Sequence, residues 1–225
     1  MAAILFDLYG TIIDIQTNEN SDNFWFKFAK QTKKYKKYEP EILKSTYKNL
    51  CLELSKEKEE IEIRDVFRKL YNVEDSKLDK VCLKFRKLST GYITVYGGAK
   101  KLLARLKENN DKVFLLSNAQ EAFTIPELKK LKLYDYFDGI AISSAYGIKK
   151  PNKEFFQQAI NKFNIQGEDI IMVGNDYVCD IAPANELGLK TVFIETNLTP
   201  ITPVKKNVYG FDGEFIYSVI EKLKG

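Results

Sequence analysis

The chain has 225 residues, 44% hydrophobic and 29% charged, which excludes a disordered or collagen-like polypeptide and allows one domain or a main domain carrying a smaller one. Surface scaling gives about 10,000 Å² folded against roughly 38,000 Å² unfolded, enough burial for a core with a cleft and no staples. A net charge of +4 is too mild to imply nucleic acid, and the absence of histidine removes Ser-His-Asp and Cys-His catalysis, histidine zinc sites and histidine acid–base work.

Ala2–Leu8 is a short apolar run ending at a Gly-Thr turn and reads as a buried strand. Its opening, MAAILFDLYG, lacks the flank of a signal peptide, and no apolar run approaches the ~20 residues of a membrane span. From about residue 20 to 90 the pattern turns lysine-rich and helical. Ser21-Asp22 is placed to cap the first helix, Glu39-Pro40 to open the second and Asp75-Ser76 to precede the fourth. Leu78, Val81, Cys82, Phe85 and Leu88 form one apolar stripe, so this region reads as a small all-helical unit. Lys27, Lys30, Lys34 and Lys37 recur at helical spacing and read as one solvated face, with steering of an anionic ligand as the alternative.

Beyond Tyr96-Gly97-Gly98 strands and helices alternate: helix 100–109, strand 112–116, helix 125–131, strand 140–143, helix 152–163, strand 170–173, helix 181–187 and strand 191–194. That alternation implies a parallel sheet with right-handed crossovers. Several strands end in polar residues, namely Asp7, Ser117-Asn118, Ser143-Ser144 and Asn175-Asp176, so these share the carboxyl edge where α/β sheets bind ligands. The three cysteines, Cys51, Cys82 and Cys179, are odd in number and far apart and read as thiols of a reducing cytoplasm. A monomer or homodimer without membrane or nucleic-acid partners is expected.

Asp7, directly after an apolar strand, is a candidate carboxylate nucleophile, with capping of the turn as the structural alternative. Gly10 would let the backbone approach a ligand, and Thr11 would supply a hydroxyl. Ser117 and Asn118 would be neutral donors to an oxyanion or phosphoryl oxygen, and Lys150, before a proline, a fixed cation. Asp176 and Asp180 lie four apart at a strand-to-helix turn, where two converging carboxylates need a cation between them. With Asp7 they form a hard oxygen set suited to Mg2+.

The ordered set Asp7-x-x-Gly10-Thr11, Ser117-Asn118, Lys150-Pro151 and Gly174-Asn175-Asp176-x-x-x-Asp180 resembles the haloacid dehalogenase superfamily over nearly the whole chain. The resemblance implies a Rossmann-like α/β core of residues 1–15 and 92–225, with a helical cap of residues 16–91 inserted after the first motif. It also implies a hydrolase with Asp7 as nucleophile and with Tyr9, Thr11, Ser117 and Lys150 around it. A small anionic substrate would be held at Gly10, Ser117, Asn118 and Lys150. Mg2+ would sit on Asp7, Asp176, Asp180 and the Tyr9 carbonyl.

Family phosphatases usually carry a second aspartate two residues after the nucleophile, where this chain has Tyr9. The string FDLYGT looks like that of the 2-haloacid dehalogenases, which need neither that aspartate nor a metal. Those enzymes, however, typically lack an acid at the place of Asp176 and keep an arginine early in the cap, whereas the first arginine here is Arg64. The expectation is a Mg-dependent phosphatase of a small phosphorylated metabolite. The alternatives are a carbon–halogen hydrolase and a non-catalytic small-ligand-binding protein. Tyr9 is expected to serve the leaving group poorly, with Asp14 or a cap carboxylate as the nearest substitute acid. Selectivity is expected to lie on the cap surface.

Overall fold

The chain begins with β1 (Ala3–Phe6), whose residues AILF are all buried, the continuous apolar run of a strand covered on both faces. It turns at Gly10 into β2 (Ile13–Thr17) and then runs through four helices. These are α1 (Asp22–Thr32), α2 (Pro40–Leu54), α3 (Ile63–Tyr71) and α4 (Asp75–Ser89). β3 (Thr90–Val95) returns antiparallel to β2. Alternation follows through α5 (Ala99–Glu108), β4 (Lys112–Ser117), α6 (Glu121–Lys130), β5 (Gly139–Ile142), α7 (Lys153–Phe163), β6 (Ile170–Gly174), α8 (Ala182–Glu186) and β7 (Lys190–Glu195). β8 (Val208–Gly210) and α9 (Gly213–Leu223) complete it. This computed structural model describes residues 2–167, 169–201 and 208–224.

The main sheet is parallel with the order β5-β4-β1-β6-β7-β8. Phe6 at the end of β1 stands opposite Leu115 on β4 and Val173 on β6. The chain moves outward from β1 through β4 to β5, then crosses back to β6. The crevice between β1 and β6 is therefore the switch point at which open α/β sheets bind ligands.

The helices and strands expected after residue 96 all form, with shifted ends. The helix expected from Ile125 begins at Glu121, whose N–H donates to Ser144 Oγ, and it continues through Pro126. The helix expected from Ile181 starts at Ala182, after a π-helical turn over Tyr177–Ile181. The β2–β3 ribbon, β8 and α9 have no counterpart in the sequence reading. The ribbon spans both expected core–cap boundaries, so it is the connection between sheet and helices. The lysine face is also corrected. α1 ends at Thr32, so Lys34 and Lys37 do not stand on that helix.

The four helices bury a cluster of their own, in which Trp25, Phe28, Phe67 and Phe85 are almost completely buried. The stripe on α4 contributes Leu78, Val81, Cys82 and Phe85, with Leu88 packed at its edge. This cluster extends to α6, where the Phe85 and Phe123 rings stack 6.1 Å apart. Among the described residues no helix is long and apolar enough to cross a membrane.

Candidate active site

Asp7 follows β1 and its N–H donates to the Val173 carbonyl at 2.9 Å, which fixes it at the β1–β6 crevice. Lys150 enters from the loop before α7. That loop is held by a reciprocal pair, in which Asn118 Nδ2 donates to the Lys150 carbonyl and the Lys150 N–H donates to Asn118 Oδ1, both at 2.8 Å. Asn118, expected as a donor to substrate, thus spends its amide on placing Lys150. Lys150 is only 2% exposed, and the three donors of its ammonium are all used. They reach Asp7 Oδ1 at 2.8 Å, the Leu116 carbonyl at 2.8 Å and Asp180 Oδ1 at 2.6 Å. Burial alone would lower the Lys150 pKa, but the charges of Asp180 and Asp7 outweigh it and hold the group above its ordinary value.

Ser117 Oγ lies 3.4 Å from Asp7 Oδ1. Thr11 Oγ1 lies 3.3 Å from Asp7 Oδ2 and 3.2 Å from Asn175 Oδ1. Gly10 has φ +89°, and a Cβ there would lie 2.2 Å from Asn175 Nδ2, so the close approach that demands glycine is by Asn175. A Cβ on Gly174 would likewise strike Asp180 Oδ2 at 2.3 Å.

The two acids expected as a pair have different surroundings. Asp176 Oδ1 accepts from the Val178 and Cys179 N–H groups at 2.9 and 3.0 Å and caps the π-helical turn. Asp180 is buried, accepts the Asp176 N–H at 3.0 Å and faces Lys150. Burial drives Asp180 above the usual carboxylate range, opposed by Lys150 and reinforced by Asp7. The cation between Asp7 and Asp180 is therefore the Lys150 ammonium. Burial, with the Asp176 charge, pushes the neighbouring Cys179 thiol up to about 12.

A cavity of about 160 Å³ collects all the candidate site residues except Gly10 and Thr11, which support it from behind, and adds Asn175, Cys179, Leu198 and Pro200. Among the described residues no three acidic, histidine or cysteine side chains gather tightly enough to hold an ion alone. The chemistry of the donors nonetheless fits Mg2+, which uses one or two carboxylates, substrate phosphate and waters in place of an all-protein cage. Three carboxylates against one ammonium also leave negative charge in the cavity that a divalent cation would offset.

Tyr9 lines the cavity but its hydroxyl points into a second network. It donates to Glu127 Oε2 at 2.5 Å and lies 3.1 Å from Thr124 Oγ1. Glu127 in turn binds Arg86 of α4, Nε to Oε1 at 2.6 Å, and Arg86 lies 5.5 Å from the Tyr9 ring centre. Burial and the Glu127 charge push the phenol well above its usual pKa, against the pull of Arg86. The sequence reading missed both Arg86 and Glu127. Arg64 pairs instead with Asp79 and Glu62. Asp14 accepts from the Tyr92 hydroxyl and from Asn197 Nδ2 and is not among the residues lining the cavity.

The family model for haloacid dehalogenase-like hydrolases matches residues 1–188. The chain is 33% identical over 104 residues to a glyceraldehyde 3-phosphate phosphatase of Pyrococcus furiosus, covering 46% of this chain and 43% of that one. It is 31% identical over 127 residues to pyrimidine 5'-nucleotidase YjjG of Escherichia coli, covering 56% and 55%. The chain thus spans about half the length of these relatives or less. Solved structures with the same fold include an HAD phosphatase from Thermococcus onnurineus, with TM-score 0.62, 19% identity and 98% of both chains covered. A dehalogenase superposes with TM-score 0.59 at 19% identity, covering 97% and 96%. The matched model spans β1 to α8 and with them every motif around the cavity, and the chain belongs to the haloacid dehalogenase-like hydrolase family.

Proposed function

We propose that this chain is a phosphohydrolase that takes a small phosphorylated metabolite through a covalent intermediate on Asp7. One arrangement carries the reading: the buried Lys150 ammonium joins Asp7 to Asp180 in a cavity that also holds Ser117, Asn175 and Asp176. The names of the two relatives, a phosphatase and a 5'-nucleotidase, support the same chemistry. Residues 1–15 and 92–225 would be the catalytic core and residues 16–91 the cap. The three cysteines are free, which fits a reducing cytoplasm.

In the first step a carboxylate oxygen of Asp7 attacks phosphorus. The new O–P bond forms as the bond to the leaving oxygen breaks, and the electron pair departs with that oxygen. Lys150 holds and orients Asp7, and Ser117 places a hydroxyl beside the same carboxylate. The Tyr9 hydroxyl donates to Glu127, so the departing oxygen takes its proton from solvent. In the second step water attacks phosphorus, the bond to Asp7 breaks with its electron pair returning to the carboxylate, and both water protons leave on dihydrogen phosphate. Asp7 and Asp176 with the Tyr9 carbonyl would hold Mg2+, which when bound offsets the charge of the phosphoryl oxygens, while Asp180, whose oxygens are taken by Lys150 and the Asp176 N–H, would act through Lys150.

The test is release of phosphate from acetyl phosphate and p-nitrophenyl phosphate, with Mg2+ and with chelator, beside release of halide from 2-chloropropionate. The expected outcome is Mg-dependent phosphate release that disappears in Asp7→Asn while that variant stays folded, with a cooperative melt. Metal-independent halide release, or phosphate release undiminished in Asp7→Asn, overturns the reading.

A further inference from the structure

Two loops of the main sheet meet beside Asp7. One follows β4 and carries Asn118 and Gln120; the other precedes α7 and carries Gly147, Lys149, Lys150 and Asn152. The reciprocal Asn118–Lys150 pair ties them together. A third segment, the connection between α2 and α3, lies on both.

Gln120 gives its whole side-chain amide to that connection. Its Oε1 accepts the Ile63 N–H at 2.7 Å, and its Nε2 donates to the Ile61 carbonyl at 2.8 Å and to Glu60 Oε1 at 3.0 Å. On the other loop, the Glu60 N–H donates to the Gly147 carbonyl at 3.1 Å, and Lys149 Nζ lies 3.5 Å from Glu60 Oε2. Asn152 Nδ2 donates to the Glu59 carboxylate at 3.0 and 3.1 Å. Glu60 thus touches both loops, and its side chain is only 14% exposed. A carboxylate so far from water needs these partners, and burial already raises its pKa against the pull of Lys149 and Gln120.

Lys150 has no slack of its own. Its donors end on Asp7, on the Leu116 carbonyl of β4 and on Asp180, so the ammonium stays on Asp7 only while the backbone beneath it stays in place. Gln120 lies two residues beyond Asn118, and Glu60 binds Gly147 and Lys149 just before Lys150. We propose that Gln120 and Glu60 are positioning residues: by clamping the α2–α3 connection onto both loops, they hold the Lys150 ammonium against Asp7. The inference rests on the phosphohydrolase reading. It gives the helical unit a part in the chemistry that runs through Lys150 and needs no contact with the substrate. Lys150 acts on the nucleophile, so misplacing it slows the attack of Asp7 more than it weakens binding, and a shift of about 1 Å costs about 10²-fold.

Kinetics with p-nitrophenyl phosphate and Mg2+, on protein that melts cooperatively, test the clamp. Gln120→Ala removes all three amide hydrogen bonds and is expected to lower kcat by about 10–100-fold, with KM within about threefold of the parent. Glu60→Ala should lower kcat by about tenfold, whereas Glu60→Gln, which still accepts from Gln120, should stay within about threefold. Glu53→Ala breaks the exposed Glu53–Lys69 pair inside the helical unit and should leave kcat unchanged. A clamp that only stabilised the fold would lower Tm and leave the kcat of folded variants alone. If kcat in folded Gln120→Ala and Glu60→Ala stays within about threefold of the parent, if the loss is confined to KM, or if Glu60→Gln loses as much as Glu60→Ala, the inference is overturned while the phosphohydrolase reading stands. Failure of the folded, unmodified protein to release phosphate from any ester, with Mg2+ present, overturns both.

Discussion

Lys150→Met tests the electrostatic centre of the site. The Lys150 side chain is 1% exposed, and those of its partners Asp7 and Asp180 are 11% and 1% exposed. Removing one member of a buried ion pair costs about 3–5 kcal/mol, because the charge left behind has neither water nor partner. Here one lost ammonium strands two carboxylates, but the figure does not double. Asp180 keeps the Asp176 N–H, and Asp7 keeps Thr11 and Ser117. For a chain of this size each kcal/mol moves Tm by about 2–4 °C, so the expected fall is about 6–20 °C. The sign with pH follows from the same groups. Burial and the Asp7 charge raise the folded Asp180 pKa above its unfolded value, and loss of the opposing ammonium raises it further. The folded state then binds more protons than the unfolded state, so the variant loses stability as pH rises from the unfolded carboxylate range through the raised folded value. Thermal melts at pH 5 and pH 8 read this directly. The deficit against the parent should be larger at pH 8, and adding Asp180→Asn to Lys150→Met should recover part of it. A variant melting within 2 °C of the parent at pH 8, or a deficit equal at both pH values, refutes the reasoning.

Mg2+ at a hundredfold excess over its Kd should stabilise the fold by about 2.7 kcal/mol, and Asp176→Ala should abolish the resulting rise in Tm; no rise in the unmodified protein counts against the metal assignment. Glu127→Gln leaves the Arg86 guanidinium without its carboxylate, where the two side chains are 15% and 11% exposed. It should cost about 3–5 kcal/mol, and adding Arg86→Met should return part of that; a neutral single variant shows that the pair is dispensable.

Asp7, Ser117 and Asp176 were legible because the strands before them are covered on both faces. AILF, KVFLLS and IIMVG are apolar runs with almost no exposed residue, so the first polar residue marks a strand end. Parallel strands then bring those ends to one edge. Charge alone asked for a cation between Asp176 and Asp180, whereas the fold places one between Asp180 and Asp7. That cation was not legible, since Lys150 reaches Asp180 across 30 residues and is aimed by Asn118, 32 residues before it. Gly10 looked like a place for a ligand to approach, and only the packed structure puts Asn175 there.

What escaped the sequence lacked a local period or carried a misleading one. The lysine spacing continues past Thr32, where α1 ends, so it carries a helical period into residues that are not helical. β2 and β3 are a two-stranded ribbon with mostly half-exposed or exposed residues, so the strong burial signal of the main sheet is absent from them. Arg86 and Glu127 are charged residues on helices otherwise rich in lysine, and their pairing spans 41 positions. These two residues decide what Tyr9 does. At the level of sequence, Tyr9 is a phenol in a place where an acid is usual, and its chemistry depends on where its proton points. In the fold the proton points at a carboxylate held by an arginine. Tyr9 thus lines the cavity with its proton already committed to Glu127.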